Sequence, residues 1–309
     1  MIKKIYLTGK KGFIGGSLYE KLNSSKFLKK KILISYDNFD LKKNFQKRIK
    51  ILSDTDCVIH CAGRAHIFRD KEKNSFEEFY RVNAVITKKL AELAAKNGVK
   101  RFIFLSTIGV NGVITENKFF KSNDTPKPVG NYAISKLKAE KFLWEISRKS
   151  GLEVIIIRCP LVYGKKVKGN FLRLLNLLNK VNILPFGRLN NLRSFVGIDN
   201  LIDLIACCIV HPKAPGNTFL VSDDKDISTS DLIKKIRKIM KKSTFLIPFP
   251  LIFLKFLCKI IGKSNELVSL SNSLQIDCSE AKQILGWKPL TSFDKGILKT
   301  VKWYLKNND

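Results

Sequence analysis

The chain has 309 residues, 45% of them hydrophobic, enough to bury a core of one large domain or of a main domain with an appendage. Its 57 Lys and Arg against 26 Asp and Glu give a net charge of +31. The excess is lysine scattered over every element with no basic block interleaved with aromatics, so specific nucleic-acid binding is set aside in favour of an anionic small substrate and loose attraction to an acidic membrane surface. Seven cysteines form no CxxC pair and have no histidine at metal spacing; no metal is expected, and reduced thiols in a cytoplasmic protein are the reading.

In chain order, Met1-Ile-Lys-Lys runs directly into an apolar strand, with no cleavable leader expected. Short apolar runs at 5–8, 32–35, 57–61, 101–106 and 153–158 read as buried strands, separated by amphipathic helical stretches near 13–23, 41–53, 75–98 and 131–150. Strand–helix alternation at this pitch predicts a Rossmann-type α/β fold, a doubly wound parallel sheet covered on both faces. Ligands of such sheets sit at the carboxyl ends of the strands. Residues 1–165 are expected to carry the nucleotide site and the catalytic groups. From 166 to 309 the pattern loosens into a smaller, mostly helical substrate lobe with a short strand near 218–221, and some segments are expected to return to the main sheet. The apolar window 245–261 is interrupted by Pro248, Pro250, Lys255 and Lys259. It is too short to span a bilayer, and a core or subunit-contact helix is favoured over one lying on a membrane.

Gly9-Lys-Lys-Gly12-Phe-Ile-Gly15 follows the first strand and opens a helix. Glycine permits the tight turn and a close approach of backbone to a dinucleotide, and Phe13, Ile14 and Gly15 begin a helix whose free N–H groups suit a pyrophosphate. Asp37, at the end of the second strand, is placed to accept hydrogen bonds from a ribose, which favours NAD over NADP. Only about 20 residues separate Asp37 from Cys57, too few for a further strand and helix, so Asp40 and Leu41 are expected to flank the adenine from the same shortened segment.

Tyr132 and Lys136 stand four apart on a predicted helix and share one face. A tyrosine phenol ordinarily titrates near 10; a lysine ammonium one turn away would lower it towards the range of a useful proton carrier. Strand 101–106 ends in Ser106-Thr107, and Thr107 is chosen as the hydroxyl that orients the reacting oxygen. These features point to hydride transfer at a carbon bearing oxygen.

The motifs Thr8-Gly-Lys-Lys-Gly-Phe-Ile-Gly15, Val58-Ile-His-Cys-Ala-Gly63, Phe104-Leu-Ser-Thr107, Tyr132-Ala-Ile-Ser-Lys136 and Arg158-Cys-Pro-Leu-Val-Tyr-Gly164 together resemble the extended short-chain dehydrogenase/reductases. Within them the chain is similar to the NAD-dependent epimerase/dehydratase group, UDP-glucose 4-epimerase-like. It further resembles a surface-polysaccharide subgroup that includes UDP-4-keto-6-deoxy-N-acetylhexosamine 4-reductases. The resemblance implies cofactor contacts from Cys61, Ala62, Gly63 and Cys159, with Tyr132 and Lys136 also beside the cofactor. It makes Asn83 a buried polar support. Asn170 and Arg193 would hold the diphosphate or uracil of a UDP-sugar, although Asn170 could instead cap a helix starting at Phe171 and Arg193 could be a surface ion-pair partner. A homodimer built on helices 75–98 and 131–150 is expected.

Epimerase and one-way 4-keto reductase use the same residues and both remain open. A dehydratase is disfavoured, because Ile108-Gly109 lacks the acid and base that elimination needs. The rival from another class is a nucleotide-binding or RNA-binding scaffold without turnover, against which Thr107, Tyr132 and Lys136 argue. His60 and His66 are read as structural or loop residues.

Overall fold

The computed structural model describes residues 2–24, 33–37, 51–65, 75–116, 118–187, 189–243, 245–260 and 264–308. In chain order the strands are β1 (Lys4–Thr8), β2 (Leu33–Asp37), β3 (Cys57–His60), β4 (Arg101–Thr107), β5 (Glu153–Cys159), β6 (Leu161–Tyr163), β7 (Ile183–Leu184), β8 (Arg193–Gly197), β9 (Thr218–Leu220), β10 (Asp226–Ile227) and β11 (Phe245–Leu246). The helices are α1 (Phe13–Asn23), α2 (Ser75–Tyr80), α3 (Ile86–Lys96), α4 (Gly130–Ser150), α5 (Gly169–Lys180), α6 (Ile198–Val210), α7 (Thr229–Ile239), α8 (Leu251–Ile260), α9 (Ser264–Ser271), α10 (Ser279–Leu285) and α11 (Phe293–Lys306). Of the expected helix 41–53, only residues 51–53 lie among the described residues, and of these Ile51 and Leu52 are helical.

Six strands form one parallel sheet in the order β2-β1-β3-β4-β5-β9. The chain steps from β1 outward to β2, then crosses back to place β3 on the other side of β1. That reversal opens a crevice at the carboxyl ends of β1 and β3. The central strands are buried on both faces. Leu7, Ile59, Ile103 and Ile157 join a cluster with Leu18 of α1 and Leu201 of α6; Tyr6, Val58, Phe104 and Ile156 face Leu90 of α3 and Leu143 of α4. Two covered faces explain why these strands are continuous apolar runs with no polar alternation.

The predicted helix 75–98 is divided. Arg81–Val85 form a π-turn between α2 and α3, widening the helix where Asn83 turns inward. Apolar spacing cannot report such a bulge, because it is set by what the side chain bonds to elsewhere.

Beyond β5 there is more strand than the periodicity predicts. β6, β8 and β10 form a three-stranded sheet, and β7 with β11 form a parallel pair. Several of these strands are two or three residues long and pair over long sequence distances, so they leave little periodic signal. β9 pairs with β5 in the main sheet. The 273–277 segment is woven between two others: Ser194 N–H donates to Leu274 O at 2.8 Å and Phe120 N–H to Gln275 O at 2.9 Å. Tyr163 at the end of β6 donates to the buried Asp223 carboxylate, which also accepts from Gly197 N–H at 2.9 Å and Asn200 Nδ2 at 2.7 Å. This network ties the second lobe to the sheet.

Candidate active site

The glycine turn is a backbone device. Gly9 adopts φ +78°, and a Cβ there would lie 2.7 Å from Ala62 N. Gly12 donates to Gly9 O at 2.8 Å and then N-caps α1 without a side-chain hydrogen bond. A Cβ at Gly15 would collide with Gly9 O. The first turn of α1 carries no acidic residue, so its N–H groups and positive end are presented to the crevice. A glycine cradle and an uncapped helix start fit the diphosphate of a dinucleotide.

One cavity of about 380 Å³ joins this turn to the predicted catalytic residues. Its walls include Gly12, Phe13, Ile14 and Gly15 from the turn, Cys61 and Gly63 after β3, Thr107 at the end of β4, Tyr132 and Lys136 of α4, and Cys159 at the end of β5. Residues 115 or more apart in sequence thereby share one cleft. Gly9 and Ala62 stand behind its wall, against each other. Asp37 ends β2 in register with Thr8. Asp40, Leu41 and His66 lie outside the described residues.

Lys136 is buried, donates from Nζ to Leu105 O at 2.8 Å and sits 4.3 Å from the Phe104 ring centroid. Among the described residues it has no carboxylate within ion-pair distance. Burial lowers its pKa to about 8, partly opposed by Cys159, Cys61 and Glu140. The Tyr132 phenol moves the other way from the sequence expectation. Burial pushes it above its ordinary value, with Cys159 adding to the rise. The physical reason is desolvation of a phenolate in a closed wall, which outweighs any help from an ammonium that is turned towards Leu105 O. Both thiols also stay protonated: burial raises Cys61 to about 12 and Cys159 to about 11. Thr107 Oγ1 accepts from Gly109 N–H at 3.2 Å, which leaves its hydroxyl hydrogen to donate into the cleft.

Behind the wall lies a directed hydrogen-bond chain. Thr87 Oγ1 donates to Asn83 O at 2.7 Å, so His60 Nε2, 3.0 Å away, must carry the hydrogen that Thr87 accepts. His60 Nδ1 therefore accepts from Thr8 Oγ1 at 2.7 Å, and Thr8 Oγ1 accepts from Ala62 N–H at 3.2 Å. His60 is neutral, its pKa lowered to about 3 first by burial and then by the Lys136 charge. The structural reading of His60 holds. Asn83, also buried, brackets Arg64 by accepting from its N–H at 2.8 Å and donating to its carbonyl at 3.1 Å, and reaches Ser135 Oγ at 3.0 Å. The loop that carries Gly63 over Lys136 is thus held from two sides.

Asn170 and Arg193 do not line the cavity. α5 begins at Gly169 with Lys168 as its N-cap, so Asn170 lies in the first turn, where its Oδ1 accepts from Arg173. It does not cap a helix at Phe171. Arg193 is no surface ion-pair partner: it donates to Asn272 O at 2.8 Å, and burial alone lowers its pKa to about 10. It precedes by two residues the register partner of Leu161, a cavity-lining residue. Lys168, Pro160 and Leu161 also line the cavity and were given no role from the sequence; Pro160 and Leu161 lie inside the motif Arg158–Gly164, which was the available signal, and Lys168 follows it by four residues.

The Gly-rich turn, crossover sheet and Tyr132/Lys136 pair on one cleft define an extended short-chain dehydrogenase/reductase. The profile of the NAD dependent epimerase/dehydratase family matches residues 5–222. Over 323 aligned positions the chain is 39% identical to a UDP-glucose 4-epimerase of Vibrio cholerae, covering 100% of this chain and 98% of that one. The chain belongs to the NAD dependent epimerase/dehydratase family. Solved structures share the fold. A UDP-glucuronic acid 4-epimerase of Bacillus cereus in complex with NAD superposes with TM-score 0.78 at 21% identity over 99% of this chain and 100% of that one. A UDP-glucose 4-epimerase of Thermotoga maritima with UDP-glucose gives 0.76 at 22% identity, again over 99% and 100%.

Proposed function

We propose that this enzyme epimerises C4 of a UDP-hexose or UDP-N-acetylhexosamine with tightly held NAD, in the manner of UDP-glucose 4-epimerases, to supply precursors of a surface polysaccharide. The observation that carries this reading is the single cavity shared by the glycine turn, Thr107, Tyr132 and Lys136. Residues 1–165 would hold the dinucleotide and residues 166–309 the sugar nucleotide.

NAD, when bound, supplies the acceptor and donor of hydride and, in its oxidised form, a positive charge. Gly12, Phe13, Ile14 and Gly15 would bind its diphosphate, with Gly9 shaping the turn from behind. Cys61, Gly63 and Cys159 would line its path across the sheet, with Ala62 supporting the turn from behind, and Asp37 its adenosine ribose, with Asp40 and Leu41 near the adenine. Lys136 would hold the second ribose. Tyr132 takes the proton of the sugar 4-hydroxyl as C4 becomes a ketone and returns it when the alcohol is re-formed. A phenol held neutral by burial is a ready proton donor; as acceptor it needs added positive charge beside it, which Lys136 and the oxidised cofactor provide. Thr107 donates a hydrogen bond to the same oxygen and keeps it aimed at Tyr132. Arg193, a half-buried guanidinium without a carboxylate partner among the described residues, would pair with the sugar-nucleotide diphosphate; Asn170 would reach the phosphates or uracil after leaving Arg173.

The second reading is a 4-keto reductase making a UDP-6-deoxy-N-acetylhexosamine with exchanging NADH or NADPH. Its support is the short 37–57 connection in the sequence, together with the place of β2 at the edge of the main sheet. Incubation of the purified protein with UDP-glucose or UDP-N-acetylglucosamine and no reductant separates the two. Appearance of the C4 epimer supports the first reading. Absence of interconversion, with NADPH consumed on a 4-keto substrate, replaces it by the second. A homodimer through the packed helices α3 and α4 is part of the proposal, and a sedimentation mass near 35 kDa would remove that part.

A further inference from the structure

The segment 245–260 leaves a large apolar surface uncovered. Ile252, Phe253, Phe256 and Ile260 of α8 are 72, 57, 64 and 67% exposed. At about 100° per residue these four positions fall within one arc of roughly 100°. Leu254, on the opposite side, is buried, and α8 packs against α9. Of the two expected roles, core helix or subunit-contact helix, the first fails: the helix is anchored at Leu254 and bare on the opposite side. The bare face continues towards its entry strand. Phe249 meets Phe253 with ring centroids 6.1 Å apart, and Phe245 and its register partner Ile183 are 65 and 56% exposed.

The charge around this face is one-sided. From Leu232 to Asn265 the chain has nine Lys and Arg and no Asp or Glu. Lys259 is exposed on the border of the apolar arc, and Lys241 is exposed just before the entry strand. An apolar helical face with a cationic rim is the pattern of a helix lying in the headgroup plane of a membrane. It is a poor pattern for self-association, since a second copy would set two acid-free cationic segments against each other on chains of net charge +31. α8 has 10 residues, about 15 Å of helix, and no described helix is long and apolar enough to cross a membrane.

We propose that α8 and its entry strand dock this enzyme on the surface of an anionic lipid bilayer, with Ile252, Phe253, Phe256 and Ile260 inserted and the neighbouring lysines on the headgroups. The proposal does not depend on the chemistry of the cleft. It implies that the enzyme works at the membrane face, where an amphiphilic acceptor of activated sugars would reside.

Vesicle flotation tests it, using phosphatidylglycerol/phosphatidylcholine vesicles against phosphatidylcholine alone at low and high salt. The wild-type chain floats with the anionic vesicles, less so at high salt, and not with the neutral ones. A Phe253→Ser/Phe256→Ser variant, which keeps the wild-type thermal midpoint and cleft activity, binds at least about tenfold more weakly. Should that variant unfold, Lys241→Glu/Lys259→Glu carries the test, with a loss of about fivefold or more per lysine. Absence of flotation at low salt overturns the proposal. So does flotation unaffected by the double Phe substitution, which would reduce it to non-specific attraction by a basic protein. A wild type that ignores vesicles while the Phe variant loses sedimentation mass would assign the face to a second copy instead.

Discussion

Glu140 and Arg158 form a buried ion pair beside the cleft, Oε2 of the carboxylate 2.6 Å from Nη2 of the guanidinium and Oε1 3.1 Å from Nε. Ser106 Oγ donates to the same carboxylate at 2.5 Å, and Arg158 Nη1 reaches Asn111 Oδ1 at 3.0 Å. Glu140 lies one turn after Lys136 on α4, so the pair fixes α4 to the ends of β4 and β5. Removing one partner strands the other charge in an apolar interior. Glu140→Ala is expected to cost about 3–5 kcal/mol of stability, measured by urea denaturation, and a Glu140→Leu/Arg158→Leu double variant should cost less than either single change. A single-variant loss below about 1 kcal/mol would contradict the assignment.

Lys136 carries a conflict between stability and function. Its ammonium is buried and, among the described residues, has only a carbonyl as hydrogen-bond partner, and its pKa falls to about 8. Lys136→Met should therefore stabilise the cofactor-free protein by about 1–3 kcal/mol while turnover drops by about two orders of magnitude or more. Calorimetry and a turnover assay on the same preparation check this; a destabilised and inactive variant would mean that the lysine is structural.

Tyr132→Phe keeps the ring and its edge contact with Phe79, whose centroid is 6.3 Å away, and removes only the phenol oxygen proposed to carry the proton. Turnover should fall by about a hundredfold or more with little change in thermal stability. Unchanged turnover refutes the proposed proton transfer.

His60 makes stability depend on pH with a definite sign. In the unfolded chain it titrates near its ordinary 6.5, whereas in the fold it stays neutral down to about 3. Between these values the unfolded state binds the extra proton, so this contribution is complete above about pH 6.5 and is lost as pH falls towards 3. The slope is about 1.4 kcal/mol per pH unit at most. Urea midpoints at mildly acidic and neutral pH should diverge more for wild type than for His60→Gln; parallel shifts would show that the ring is not held neutral.

Gly15→Ala tests the cradle. The added methyl would meet the Gly9 carbonyl, and that carbonyl also accepts from Gly12 N–H at 2.8 Å. The turn must open, so NAD affinity should drop by at least about tenfold, read by fluorescence titration. Gly98→Ala, at a site with open space around the missing side chain though with φ +76°, should leave NAD binding untouched.

Much of this was legible in the order of residues. Five parallel strands, the glycine turn and the Tyr132/Lys136 face announce themselves because each is a local device: an apolar run covered on both sides, a backbone position that tolerates no Cβ, two side chains one helical turn apart. Thr107 could be chosen for the same reason, as the last residue of a strand whose carboxyl end had to face the ligand. Arg158 was visible only as part of a motif. Its partner Glu140 lies 18 residues away on another element, and nothing in either neighbourhood says that they meet.

The amino-acid sequence by itself determined the parallel sheet, the dinucleotide turn and the family to which the chain belongs, since periodicity, glycine sterics and i, i+4 spacing act within a few residues. Tertiary structure alone decided the protonation of the cleft, the π-turn at Asn83, the routing of Arg193 to Asn272 and the bare face of α8. Those depend on desolvation and on contacts between segments far apart in the chain, and burial reverses what a neighbouring charge would suggest: Tyr132 has a lysine one turn away, yet its phenol is harder to ionise than in water.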